Sequence, residues 1–325
     1  MRIGDAYAKA AETLSDAPEV ALACHVNPDA DALGSMLGLS NHLRALGKRT
    51  VCSFPNDPFE APRWAAMLPG TGALVAPAAF PKEPQVMVTC DVASLDRLGM
   101  FAGPAVRAGS LIWIDHHVTN EGLGSVSLVD PSASSTSELV WRLVKELGGQ
   151  IQVETAVCLY AGLVTDTGRF QYQAVGPDTL RLAAELREFP FDHSRLAQAL
   201  YEDNGSAYLR VLGLALRRLR LEPEADLVWS YLTWADLDDA GVDPLEADDL
   251  IDVVRTAREA DVAAVIKQQR DGRFKVSLRS RGGHDVAAVA SAFGGGGHRL
   301  AAGYTSEYGL AHTVESLTSA LRSRP

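Results

Sequence analysis

The sequence predicts an α/β protein in two unequal parts: an N-terminal parallel sheet flanked by helices, a helical linker, and a smaller C-terminal α/β unit. Up to about residue 185, short apolar runs alternate with stretches of helical periodicity, the pattern of a parallel sheet covered on both faces. Phe189-Pro190 interrupts that pattern. Beyond residue 220, two strand-like runs meet across Asp271-Gly272, and a glycine run follows a short helix.

Taken in order, the run 20–25 is strand-like and ends in His25. Segment 31–46 sets Leu33, Met36, Leu37, Leu43 and Leu46 at helical spacing and stops at Gly47. Runs 50–54, 85–91 and 110–117 read as further buried strands. Ser135-Thr136-Ser137-Glu138 has a capping-box spelling near the start of a helix at 134–147. Segment 154–165 reads as a buried helix, and another lies near 178–186. Helices around 192–200 and 207–219 form the linker, so the boundaries fall at 1–188, 189–220 and 221–325. The last part carries strands 227–234, 262–269 and 274–281 and a helix at 285–293.

The chain has 325 residues, 47% hydrophobic and 22% charged, the composition of a soluble globular protein with a sizeable core. No run of 18 uncharged apolar residues is present, so no membrane span is expected, and the first twelve residues lack the apolar core of a signal peptide. Cys24, Cys52, Cys90 and Cys158 are far apart in apolar runs, which reads as buried reduced thiols and a cytoplasmic location. A net charge of −11 argues against coating long duplex nucleic acid. Charge is local, however. Residues 262–299 hold seven basic and two acidic side chains, a +5 segment that leaves −16 for the rest and suits a small anionic substrate. The acidic run 236–252 reads as a solvated helix face and loop.

Five aspartates and three histidines stand where apolar runs give way to turns or helices: His25, Asp29, Asp31, Asp91, Asp115, His116, His117 and Asp166. His25, Asp91 and Asp115 lie at the C-terminal ends of expected strands, where open α/β sheets bind ligands. Carboxylate oxygens mixed with imidazole nitrogens suit a borderline divalent ion such as manganese. Each residue alone has a bland reading; Asp31, for example, can simply cap the helix beginning at Ala32. Together they would crowd several buried carboxylates at one edge, which is costly without cations.

These segments resemble the DHH/DHHA1 phosphoesterase superfamily. His25-x-x-x-Asp29-x-Asp31, Asp91-x-x-Ser94-x-x-Arg97, Asp115-His116-His117-x-x-Asn120 and Thr165-Asp166-Thr167 match its first four motifs in order. Arg279-Ser280-Arg281 with Gly294-Gly295-Gly296-Gly297-His298 and Ala301-Ala302-Gly303 resembles the DHHA1 part. The resemblance implies a two-metal hydrolase with His25, Asp29 and Asp91 around one ion, Asp31, Asp91, His116 and Asp166 around the other, and Asp91 shared. It implies that Asp115 orients the motif and that His117 contacts substrate phosphate and protonates the leaving oxygen; Arg97 and Asn120 have two readings, as residues that stabilise turns or as residues that hold Asp91 and His117 in register. Arg279, Ser280, Arg281, Gly295, Gly296, Gly297 and His298 would bind a phosphate or terminal nucleotide, the glycines letting backbone approach it.

Within the superfamily, length and the absence of added domains resemble the short oligoribonucleotide hydrolases (nanoRNases) that also remove the 3′-phosphate of 3′-phosphoadenosine 5′-phosphate (pAp). Expected substrates are therefore short RNA and pAp, with long structured RNA a poor one. One alternative is a phosphodiesterase for linear or cyclic dinucleotides of the c-di-AMP type; another is a non-catalytic nucleotide-binding or RNA-binding module, which intact motifs disfavour. A pyrophosphatase fits less well because the Gly-rich His segment is of the wrong type. A homodimer through the first domain is compatible with the resemblance, although no sequence feature points to it.

Overall fold

The computed structural model describes residues 3–120, 122–244 and 246–323. Two compact units meet at Asp203 and Asn204. The expected linker 189–220 is helical, but it divides between the units. Its first helix belongs to the first and its second helix to the second.

The first unit comprises α1 (Ile3–Asp16), β1 (Glu19–Cys24), α2 (Ala30–Ala45), β2 (Arg49–Ser53), β3 (Val86–Cys90), α3 (Ala102–Arg107), β4 (Ser110–Asp115), β5 (Val126–Val129), α4 (Thr136–Leu147), α5 (Val153–Asp166), α6 (Pro177–Arg187) and α7 (His193–Tyr201). All strand pairings are parallel, in the order β2-β1-β3-β4-β5. Because helices cover both faces, β1, β3 and β4 are apolar almost throughout instead of alternating. Chain order reverses between β1 and β3, and their C-terminal ends form the crevice where such sheets bind ligands. The register sets Cys24 opposite Cys90 and Cys90 opposite Ile114. His25, Asp91 and Asp115 therefore emerge side by side.

Helix α2 is buried nearly all round, which its weak amphipathicity allows. It packs against α5 through glycine: a Cβ on Gly34 would collide with the Cys158 carbonyl, and one on Gly38 with the Leu159 side chain. This close approach brings Asp31, at the start of α2, beside the C-terminal half of α5.

The second unit contains α8 (Ser206–Arg217), β6 (Arg220–Glu222), β7 (Leu227–Leu232), α9 (Trp234–Ala240), α10 (Leu250–Val254), β8 (Val262–Gln268), β9 (Phe274–Ser280), α11 (Val286–Ser291), β10 (Gly296–His298), β11 (Ala301–Ser306) and α12 (Leu310–Arg322). Its sheet runs β10-β11-β9-β8-β7-β6, with β7 and β8 parallel and every other pairing antiparallel. One core joins the sheet to α11 and α12; another joins it to α8, α9 and α10. The expected hairpin is present, with Gly272 left-handed (φ 90°) in the connection. The four cysteines are free and buried. Among the described residues, no helix is long and apolar enough to cross a membrane.

The acidic run departs from its expected solvated character. Asp236 pairs with Arg218, and Asp248 pairs with Lys267 and Lys275. Lys267 is buried, so Asp248 serves as its counter-ion in the core. Two of the seven basic side chains of residues 262–299 thus share one carboxylate of the acidic run.

Candidate metal centre

Asp91 sits at the middle of the cluster. It follows β3 in a left-handed conformation (φ 60°) and donates its N–H to the Ile114 carbonyl. This turn aims the carboxylate across the strand ends, where it is 3% exposed. His25 Nε2 lies 3.5 Å from Asp91 Oδ2, and His116 Nε2 lies 3.8 Å from Asp91 Oδ1. On one side, His25, Asp29 and Asp91 bring ligand atoms within 4.8 Å of one another; on the other, Asp31, His116 and Asp166 do the same. His116 Nε2 is 3.2 Å from Asp166 Oδ2. Two groups of mixed oxygen and nitrogen donors fit borderline divalent ions, and Asp91 lies against both.

Supporting hydrogen bonds orient the imidazoles, as such partners do for metal-binding histidines. His25 Nδ1 is 2.8 Å from the Val26 carbonyl. As donor there, it leaves Nε2 free for a cation. The Arg97 carbonyl accepts from Val26 N–H at 3.0 Å, so its backbone fixes the turn that carries His25. His116 Nδ1 faces the Ala133 carbonyl at 3.3 Å. Asp115 supports His117 instead of His116: Oδ1 is 2.7 Å from His117 Nδ1, and Oδ2 accepts from Asn120 Nδ2 at 2.6 Å. Asp115 thereby sets the orientation of the His117 ring.

Asp29 caps α2 through Oδ1, which accepts from Asp31 N–H and Ala32 N–H, and turns Oδ2 toward His25 at 4.0 Å. Asp31 is thus no cap. Its Oδ2 accepts from Thr136 N–H at 2.6 Å, and its Oδ1 from Ser137 N–H at 2.9 Å and Ser35 Oγ at 3.3 Å. The first turn of α4 stabilises this carboxylate with its unpaired amides and dipole. Thr136 also donates its hydroxyl to Asp91 Oδ1 at 2.9 Å, so one residue orients a carboxylate from each donor group. Sequence reasoning missed Ser35, Thr136 and Ser137. The capping-box spelling marked the helix start but gave no sign that its amides point at a carboxylate over a hundred residues away.

Thr136→Val keeps the side-chain shape and removes the donor to Asp91. Its Mn²⁺ affinity should fall about 10–100-fold, as for other supporting partners of metal ligands, while Thr136→Ser recovers most of it. Titration calorimetry reads this directly; equal affinity in all three proteins would refute the assignment.

Electrostatics fit a cation site. Burial and then the charge of Asp91 push the Asp31 carboxyl up to about 7. Burial, with Asp31, Asp91 and Asp29 nearby, drives Asp166 well above the usual carboxylate range. Burial would raise Asp91 too, but the hydrogen bond with His25 and the surrounding imidazoles hold it low. For His117, burial favours the neutral ring, yet the Asp115 hydrogen bond and the Asp91 charge raise it to about 8.

In the metal-free protein, Asp31 contributes stability fully present below about pH 3.8 and lost as pH rises through about 7. His117 contributes stability present below about 6.5 and lost through about 8. A cation competes with the Asp31 proton, so metal-induced stabilisation should widen between pH 6 and 8. At a thousandfold excess over Kd it reaches about 4 kcal/mol, roughly 10 °C in Tm. Thermal melts with EDTA and with Mn²⁺ across that range test this, and a difference independent of pH would contradict it.

The expected phosphate-binding residues of the second unit are placed less uniformly. Arg279 lies 3.6 Å from Asp252, and Arg281 donates to the Arg255 and Thr256 carbonyls. Ser280 turns inward: it is buried and donates to Asp261 Oδ2 at 2.9 Å, which makes it a support of the loop instead of a ligand contact. Asp261 also accepts from Gly283 N–H, His284 N–H and His284 Nδ1, so His284, outside every motif, helps tie down the segment after Arg281. Gly296–His298 form β10 beside β11. A Cβ on Gly295 would strike the Gly303 carbonyl and Tyr304, and one on Gly297 would lie 2.6 Å from Ala302 Cα. Glycine at 295 and 297 is therefore required by the neighbouring strand, whereas at 296 the space is open.

Comparison with known proteins places these units. The DHH family, N-terminal domain, matches residues 19–163, and the DHHA1 domain matches residues 226–324. The chain is 35% identical over 284 residues to the bifunctional oligoribonuclease and PAP phosphatase NrnA of Thermus thermophilus, covering 87% of this chain and 83% of that protein. It is 30% identical to the Bacillus subtilis protein of the same name, covering 90% of each. The cyclic-di-AMP phosphodiesterase GdpP of Geobacillus thermodenitrificans is 26% identical, over 95% of this chain and 48% of that one. A solved exopolyphosphatase-related protein from Bacteroides fragilis superposes with a TM-score of 0.91 at 25% identity, covering 98% of this chain and 96% of that one. RecJ of Thermus thermophilus in complex with Mn²⁺ shares the fold, with a TM-score of 0.60 at 16% identity, over 98% of this chain and 55% of that one.

Proposed function

Since the chain belongs to the DHH/DHHA1 phosphoesterase superfamily, we propose that it is a two-metal hydrolase that cuts short oligoribonucleotides to mononucleotides and removes the 3′-phosphate of pAp in the cytoplasm. The observation that carries this is the adjacency of two His/Asp donor groups, His25/Asp29/Asp91 and Asp31/His116/Asp166, with Asp91 of the first lying 3.8 Å from His116 of the second. His25, Asp29 and Asp91 would hold one ion, and Asp31, Asp91, His116 and Asp166 the other, with manganese favoured by the mixed donors. When bound, such a pair supplies the charge that polarises a phosphoryl group and acidifies water.

The chain's own residues account for the rest of the reaction. Water adds to phosphorus as the ester oxygen leaves, and that oxygen needs a proton. His117 is suited to supply it. With a pKa of about 8 it is mostly protonated at neutral pH, and Asp115 holds its Nδ1–H, so the mobile proton sits on Nε2. Asn120 fixes Asp115, and the Arg97 carbonyl fixes the turn that carries His25. In the second unit, Arg281, Gly296 and His298 are the candidates to receive a substrate phosphate or terminal nucleotide, with Arg279 partly engaged by Asp252.

The similarity to GdpP favours a second reading, a phosphodiesterase acting mainly on linear or cyclic dinucleotides. One panel separates these: a trimer, a 24-mer, pAp, pApA and c-di-AMP, each with added Mn²⁺. Rapid turnover of trimer and pAp with a slow 24-mer is expected. Exclusive action on pApA or c-di-AMP would establish the second reading, and a 24-mer degraded as fast as a trimer would defeat the first.

A further inference from the structure

The end of α5 carries more backbone strain than a helix stop requires. Gly168 is left-handed (φ 56°), its N–H reaches the Thr165 carbonyl at 2.9 Å, and Arg169 N–H reaches the Val164 carbonyl at 2.8 Å. Those paired bonds are a Schellman stop, which needs one left-handed residue. Arg169 (φ 60°) and Phe170 (φ 64°) are left-handed too, and neither belongs to the residue types that tolerate this readily. Neighbouring side chains hold them there. Thr167 Oγ1 accepts from Phe170 N–H at 3.2 Å and donates to the Leu163 carbonyl at 2.6 Å. Tyr201, the last residue of α7, donates its hydroxyl to the Val164 carbonyl at 3.1 Å, the same acceptor that Arg169 N–H uses. Backbone and ring thus share one anchor, and the Arg169 guanidinium lies over the Tyr201 ring at 4.0 Å from its centroid. Arg169 nevertheless remains exposed, three residues from Asp166 of the metal centre.

We infer that Arg169, seated on Tyr201, is a stacking platform for a nucleobase of the substrate; this rests on the nucleotide reading above. Strain kept next to a reaction centre is what aiming one side chain demands. A guanidinium plane backed by an aromatic ring is a rigid partner for an unpaired base, and such stacking tolerates every base. A phosphate contact would use the guanidinium edge, and its loss would weaken intact and abasic substrates alike, whereas loss of a stacking surface weakens only the substrate that carries the base.

The test compares kcat/KM for pApA and for the same dinucleotide lacking one or both bases, using the full chain with Mn²⁺. Arg169→Gly suits the left-handed backbone and removes the platform; Arg169→Lys keeps the charge without the plane. Wild type should prefer the intact substrate by roughly 10-fold, the scale of one stacked base. In both variants that preference should collapse, through KM, while the Tm of Arg169→Gly equals or exceeds that of wild type. Restoration by lysine, an undiminished preference in Arg169→Gly, or equal losses on intact and abasic substrates would overturn the platform. Wild type cleaving both substrates equally sinks the platform alone. Cleavage of neither sinks the nucleotide reading with it.

Discussion

Asp91→Asn is expected to abolish hydrolysis while leaving the fold intact. The choice of Asn matters, because residue 91 is left-handed and Asn tolerates that conformation, whereas Ala would add backbone strain. Asn also keeps an oxygen for the Thr136 hydroxyl. What disappears is the charge that belongs to one donor group and lies 3.8 Å from His116 of the other. Losing one supporting partner of a metal ligand costs about 10–100-fold; weakening two ions at once multiplies such factors to roughly 10²–10⁴ in activity. The metal-free protein should tolerate the change well, since the Asp91 charge is one reason why the Asp31 and Asp166 carboxyls sit high. The decisive measurement pairs two readouts: turnover of a trimer, and the rise in Tm on adding Mn²⁺. Both should vanish together. A variant keeping a tenth of wild-type activity would mean that Asp91 is not the shared ligand.

Gly162→Ala is expected to be nearly as damaging, from a position that offers no chemistry. A Cβ at residue 162 would collide with Ser137 Oγ and stand 2.6 Å from Asp31 Oδ1. Three elements meet there: α5 supplies Gly162, α4 supplies Ser137, and α2 supplies Asp31. None can retreat cheaply, because α2 is buried and the α4 amides hold the Asp31 carboxylate. Overpacking of this kind costs about 1–3 kcal/mol, a drop in Tm of roughly 2–12 °C in a unit of this size. Activity should suffer more than stability. A shift of about 1 Å in a positioned group can cost on the order of 100-fold, and here the displaced group is one of the proposed metal ligands. Wild-type Mn²⁺ affinity in Gly162→Ala would show that the helices can part without moving Asp31.

These two residues mark how far the sequence could be read. Asp91 was legible twice over, at the end of an apolar run and inside an ordered series of motifs. Gly162 was not: in the sequence it is one small residue in an apolar helix, and its role exists only because α2 and α5 pack face to face. Thr136 and Ser137 fall between these cases. Their helix start was readable from the capping residues, but their use by Asp31 depends on a contact across 105 residues of chain. The acidic run 236–252 misled in the same manner. Local composition described its charge, while the pairing of Asp248 with buried Lys267 depends on tertiary packing.

Alternation of apolar runs with helical periodicity determined the parallel sheet, and the position of His25, Asp91 and Asp115 after those runs determined which edge carries the chemistry. Both are local properties, since strand period and strand end are written in consecutive residues. Tertiary structure alone decided that Asp115 serves His117, that α4 amides hold Asp31, that Ser280 faces inward, and that Arg169 lies on Tyr201. Each of these is a contact between distant segments, set by which helices can approach closely, and side-chain spacing along a chain carries no record of that distance.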